Sequence, residues 1–149
     1  MDKTNVKIKK VRSALKEMPR KATDGSAGFD LSAATEQSVT LAPLERALLP
    51  TGIALELPEG HAAFCFARSG LAVKHGISLI NGVGVIDSDY RGEVMVGIIN
   101  LSDKAYTIEP GERIAQLVVL KTPNVFMVEC EQLGGTARGG GGFGSTGTK

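Results

Sequence analysis

Two carboxylates and a glycine-rich tail carry most of the chemistry that the residues suggest. Asp30 sits between Phe29 and Leu31, and Asp87 directly follows Val85-Ile86. A carboxylate at the end of an apolar run is costly to bury unless it is paired or hydrogen-bonded. Taken alone, an Asx-bonded turn is the simpler account of each. The tail, Thr136 to Gly147, reads TARGGGGFGSTG. Gly140, Gly141 and Gly142 let main-chain N–H groups approach an anion. Arg138 offers a planar fork of donors suited to phosphate. Phe143 offers a flat face for a base, and Ser145 and Thr146 add hydroxyls. The tail is no phosphate loop, because it lacks the lysine ending and any following strand or helix. A bare spacer would need neither Arg138 nor Phe143.

Other polar residues stand at element boundaries. Arg68-Ser69-Gly70 lies between an apolar strand and a short helical turn. Ser69 suits a helix N-cap, and a helix start beside an arginine also suits phosphate; the two readings are compatible. Asn81-Gly82 is the signal of a two-residue hairpin. It reads either as a plain turn or as a backbone edge that hydrogen-bonds a base. Tyr90 reads as a cross-strand aromatic, and Gln116 as an outward position in the apolar run Ile114 to Leu120.

The elements that must position these residues are short strands. Val6 to Val11 alternates among lysines like an edge strand, and Met18 to Ser26 is a loop. Strands are expected at Ser38 to Leu41, over Ala47 to Leu57 (two, or one bent at Pro50-Thr51-Gly52), and at His61 to Ala67. Further strands are expected at Ile77 to Ile80, Val83 to Ile86, Glu93 to Leu101, Tyr106 to Ile108, Arg113 to Leu120 and Val125 to Cys130. Closely spaced turns and almost no helical periodicity point to an all-β sandwich or barrel.

Composition narrows the function. The chain has 149 residues, 42% of them hydrophobic, enough for one domain with a packed core. A net charge of +1 argues against a sequence-independent grip on long nucleic acid. Cys65 and Cys130 read as two buried thiols of a reducing compartment. No Cys/His cluster suggests zinc. The N-terminus has no signal-peptide core and no apolar run is long enough to span a membrane, so a cytoplasmic protein is expected.

Together these stretches resemble the trimeric dUTPases. Five motifs of that family occur in order: AGFDL (27–31), RSGLA (68–72), NGVGVIDSDYRGEV (81–94), GERIAQLV (111–118) and RGGGGFGSTG (138–147). The resemblance implies a jelly-roll-like β-barrel over residues 1–133 and a flexible arm over 134–149 that closes an active site of another subunit in a homotrimer. It implies hydrolysis of dUTP to dUMP and pyrophosphate with Mg²⁺, which limits uracil in DNA and supplies dUMP for dTMP synthesis. Asp87 would activate the water that attacks the α-phosphorus. Arg68, Ser69, Gly70 and Gln116 would hold the phosphates, and Asp30 would hold Mg²⁺ through water. Asn81 with the backbone of Gly84, Val85 and Ile86 would read uracil, and Tyr90 would pack on the deoxyribose. Arg138 would reach the γ-phosphate with Gly144, Ser145 and Thr146, while Phe143 stacks on the base. A dCTP deaminase of the same broad fold needs a glutamate to activate water, and need not have this tail. A non-catalytic binding module would not need Asp87.

Overall fold

A computed structural model of the chain describes residues 4–142. Its strands are β1 (Lys7–Lys10), β2 (Phe29–Ser32), β3 (Val39–Leu41), β4 (Arg46–Glu56) and β5 (His61–Ala67). The helix α1 (Ser69–His75) follows, then β6 (Ile77–Leu79), β7 (Gly84–Ile86), β8 (Glu93–Asn100), β9 (Tyr106–Ile108) and β10 (Arg113–Lys121). Two four-stranded antiparallel sheets form, in the orders β1-β4-β8-β6 and β2-β10-β5-β7, and β3 pairs with β9. The all-β expectation holds, and the architecture fits a jelly-roll-like barrel.

Alternation builds the core. Along β8 the odd positions are half-exposed while Val94, Val96, Ile98 and Asn100 point inward, as a period of two requires. Leu31, Ala63, Cys65, Ile114 and Leu117 from the second sheet join Ile53, Leu55, Val96 and Ile98 from the first in one apolar cluster. Each large member is worth about 1.5–3 kcal/mol of burial. Asn100 is fully buried, and its amide donates to the carbonyls of Leu41 (2.9 Å) and Lys104 (2.7 Å) while its oxygen accepts from Ser102. It ties β8 to the turn that follows and to β3.

The stretch from Ala47 to Leu57 is one bent strand. The β4–β8 register shifts between Pro50 and Ala54. Gly52 sits at this bulge with φ of +75°, and a Cβ there would stand 2.7 Å from that of Leu15. Only glycine fits both the left-handed backbone and the space.

Four local expectations fail. β6 and β7 do not form the hairpin suggested by Asn81-Gly82, because β6 pairs with β8 and β7 with β5, in different sheets. Residues 125–130 form no strand; among the described residues the last regular element ends at Lys121, and Val125, Phe126, Met127 and Val128 are exposed. The N-cap of α1 is Arg68, in extended conformation and without a side-chain capping bond, so Ser69 is the first helical residue. Cys130 is exposed, whereas Cys65 is buried as expected.

Candidate active site

The strand pairing gathers one set of polar residues at the end of the second sheet. Gln116 lies opposite Asp30 on one side and Phe66 on the other. This rung brings β2, β10 and the end of β5 together, so Arg68 emerges beside Asp30. A cavity of about 340 Å³ opens there, lined by Asp30, Arg68, Ser69, Gly70, Arg113 and Gln116 among others. The Asp30 carboxylate meets Arg68 Nε at 3.2 Å through one oxygen and Arg113 Nη1 at 2.9 Å through the other. Arg68 also donates from Nη1 to the Arg113 carbonyl at 3.0 Å. Its guanidinium is therefore fixed before any ligand arrives. Gln116 donates to the Ala67 carbonyl at 3.2 Å, which aims its amide along the same wall. Two arginines against one carboxylate leave the cavity cationic, and the exposed Ser69 hydroxyl stands at its edge. Such a wall suits a polyphosphate.

Asp30 is thus ion-paired rather than Asx-bonded. One oxygen accepts a hydrogen bond from Arg113 and the other is ion-paired with Arg68, and a carboxylate offers about four acceptor sites. Lone pairs remain for a metal-bound water. Among the described residues no group of three acidic, histidine or cysteine side chains converges to cage a cation. The donor set fits Mg²⁺ as a hydrated ion whose other partners are substrate phosphates, the usual habit of that metal.

A second set lies on and after β7. Asp87 is exposed, and the Tyr90 amide donates to its carbonyl at 3.2 Å. The turn is closed by main chain rather than by the Asp87 carboxylate, which has no hydrogen bond or ion pair among the described residues. Val85 is exposed, Ile86 is buried, and together with Asp87 and Tyr90 they line a cavity of about 220 Å³. Tyr90 is half-exposed and donates its hydroxyl to the Glu93 carbonyl at 2.9 Å. Asn81 is exposed in the turn before β7, and Gly84 lies against Cys65, where a Cβ would stand 3.2 Å from the cysteine Cβ. Burial pushes the Cys65 thiol up to about 11, so it stays protonated at neutral pH and is no nucleophile.

The two sets are far apart on one chain. Ile86 lies opposite Ala63, which puts Asp87 opposite Ala62. Arg68 is six residues further along the same line, about 20 Å at a strand rise of about 3.3 Å per residue. The structure brings Asp30, Arg68, Ser69, Gly70 and Gln116 together, and separately Val85, Ile86, Asp87 and Tyr90. Arg138 joins neither: its Nε donates to the Gly141 carbonyl at 2.8 Å. Phe143, Gly144, Ser145 and Thr146 lie outside the described residues.

Reading the residues alone missed Arg113, the second clamp on Asp30. The register of β10 against β2 shifts between Arg113 and Ala115, so a period of two misplaces the arginine. Its only signal is a cation at the start of an apolar strand beside a glycine turn.

The sequence profile of the dUTPase family matches residues 15–147. The deoxyuridine 5'-triphosphate nucleotidohydrolase of Finegoldia magna is 49% identical over 142 residues, covering 95% of this chain and 99% of that one. The enzyme of the same name from Rickettsia prowazekii is 53% identical over 142 residues, covering 95% and 96%. Among solved structures, the Staphylococcus bacteriophage 80alpha dUTPase with dUPNHPP superposes with a TM-score of 0.87 at 28% identity, covering 97% of this chain and 99% of that one.

Proposed function

The chain belongs to the dUTPase family and hydrolyses dUTP to dUMP, and we propose that it does so at a site divided between copies of itself in a homotrimer. The observation that carries this reading is the β5–β7 pairing, which sets Asp87 and Arg68 at opposite ends of β5, about 20 Å apart along the strand at its usual rise. A general base must come within about 3 Å of the proton it takes, directly or through one water. One chain cannot bring Asp87 and its own phosphate wall to the same phosphorus. A neighbouring copy can supply the missing half. The exposed run Val125 to Val128 supports association, because four consecutive apolar side chains left in water mark a surface that needs cover.

Within the composite site, Arg68, Ser69, Gly70 and Gln116 hold the triphosphate. The Asn81 turn and the backbone of Gly84, Val85 and Ile86 read the uracil edge, and Tyr90 packs on the deoxyribose. Asp87 takes a proton from water as its oxygen bonds to the α-phosphorus. The bond from that phosphorus to the bridging oxygen breaks, and pyrophosphate leaves. A positioned base is worth roughly 10² to 10⁴ in rate; alignment and charge neutralisation supply the rest. Asp30 would hold Mg²⁺ through its water shell, and the ion would supply neutralisation of the phosphate charge. Arg138 reaches the γ-phosphate, helped by Ser145 and Thr146, and Phe143 supplies the base-stacking ring. We place the enzyme in the cytoplasm, acting on free nucleotide and on no nucleic acid directly.

Pyrophosphate release measured across the deoxynucleoside triphosphates tests the activity: dUTP alone should turn over rapidly. Ammonia released from dCTP would overturn it. Asp87→Asn should bind nucleotide and fail to hydrolyse it; turnover near the parent rate would remove Asp87 from the chemistry.

A further inference from the structure

We propose that Arg12, in the amino-terminal segment that carries no family motif, positions Tyr90 through Glu93 and so sets how well the enzyme distinguishes deoxyribose from ribose. The proposal rests on the assignment of Tyr90 to the sugar. Two contacts define the Tyr90 ring. Its hydroxyl is tethered to the Glu93 carbonyl at 2.9 Å. The hydroxyl end of the ring lies against Gly92, where a Cβ would stand 2.6 Å from Cζ and 2.9 Å from Cε2. The ring therefore goes where the Gly92-Glu93 main chain goes.

That main chain lies at a weak point of the sheet. The β4–β8 ladder is interrupted between Pro50 and Ala54, and Ala54 is the partner of Glu93. A bulge removes regular ladder bonds. Side-chain contacts take their place here. Arg12 Nε donates to both Glu93 oxygens, at 2.7 and 2.8 Å, and the Gly52 amide donates to one of them at 2.9 Å. The Val11 amide donates to the Gly52 carbonyl at 2.8 Å, which fixes the segment that carries Arg12. Glu93 keeps only 18% of its side-chain exposure, while Arg12 keeps 46%. The ion pair thus pins the start of β8 from outside the core. Glu93 lines the same cavity as Asp87 and Tyr90.

The test compares kcat/KM for dUTP and for UTP in the assembled enzyme. Arg12→Met should lower the dUTP-to-UTP ratio roughly tenfold, the effect of one lost hydrogen-bonded restraint. Arg12→Lys, which keeps the charge, should fall between Arg12→Met and the parent. Gly92→Ala should lower the ratio by pushing the ring directly, with the ion pair intact. Thermal melting establishes that each variant is folded. Should Arg12→Met not fold, Glu93→Gln replaces it with the same expected fall. A role confined to stability would shift melting and leave the ratio alone. An unchanged ratio in Arg12→Met, beside a collapsed ratio in Tyr90→Ala, overturns the proposal and keeps Tyr90 at the sugar. An unchanged ratio in Tyr90→Ala removes Tyr90 from the sugar, and the proposal with it.

Discussion

The proposed division of the site predicts that two dead enzymes rescue each other. Consider Asp87→Asn, which damages one half, and the double change Arg68→Gln with Ser69→Ala, which damages the other. The first should lose about 10² to 10⁴ in rate with its base. The second removes two donors to charged phosphate, each worth about 1.5–3 kcal/mol, so at least about a hundredfold in rate. Asp30 keeps Arg113 at 2.9 Å in that variant, so its carboxylate is not left alone in the cavity. In an equal mixture that assembles at random, a site is intact when one neighbour brings Asp87 and the next brings the phosphate wall. Each condition holds for half of the chains, so about one quarter of sites should be whole in a closed ring of copies. The two proteins are unfolded together and refolded, and mixed assembly is verified by native mass spectrometry. Pyrophosphate release from dUTP should then rise from near nothing to about a quarter of the parent rate. Mixed oligomers no more active than their parents would refute the reasoning. Both halves would then come from one chain, and the separation along β5 would have to close within it.

Three further outcomes test other levels of the account. Removing residues from Arg138 onward should leave a folded oligomer by circular dichroism and sedimentation but cripple hydrolysis, because regular structure ends at Lys121; near-normal turnover would remove the arm from the site. Asn100→Ala should cost about 1–3 kcal/mol in denaturant unfolding, since it takes the amide donor from the buried Leu41 carbonyl, while the Lys104 carbonyl keeps the Ser102 hydroxyl, and a loss under about 0.5 kcal/mol, the range of a surface change, would contradict that network. The Arg12 hydrogen bond and charge hold the Glu93 carboxyl below its ordinary range. Its contribution is therefore full above the unfolded value of about 4.3 and is lost as pH falls through the lower folded value. The melting difference between the parent and Arg12→Met should be constant near neutrality and shrink as pH falls below about 4; a gap that does not narrow on acidification would count against the pair.

The strands were legible where burial is one-sided. EVMVGIIN alternates cleanly, and β8 buries every second residue. HAAFCFA and the bent run through Pro50-Thr51-Gly52 were equally readable, because a bulge leaves a glycine at the bend. The misses share one physical cause. Asn81-Gly82 signals a turn, and a turn forms, with Gly82 at φ of +70°. What local sequence cannot say is which strands a turn joins. Here Leu79 pairs with Ile98 while Gly84 pairs with Cys65, so packing of two sheets overrules the hairpin. Val125 to Cys130 has strand-like residues, but a strand exists only against an edge, and no described edge of the chain receives it. The thiol of Cys130 was misplaced for the same reason, since its burial was inferred from a strand that does not form.

The candidate site was legible as residues and hidden as geometry. Asp30 and Gln116 are 86 positions apart in sequence yet share one rung of the second sheet with Phe66, because β10 lies between β2 and β5, and Arg68 follows two residues past that rung. Asp87 is nearer to Arg68 in sequence than Gln116 is, and it lies far away, because β7 runs antiparallel along the opposite side of β5. Sequence proximity and spatial proximity are therefore inverted within this sheet. Motifs that follow one another along the chain are dealt to two separate faces, and a copy of the chain is the simplest object that carries the complementary face. The division has a further consequence for the order of events. The phosphate wall is rigid before ligand binds, with Arg68 held at both ends by Asp30 and the Arg113 carbonyl. The Asp87 carboxylate, by contrast, is restrained by no side chain among the described residues. On the proposed division, the cost of orienting the base would fall on assembly and on the nucleotide, while the cost of orienting the phosphates would be met by folding.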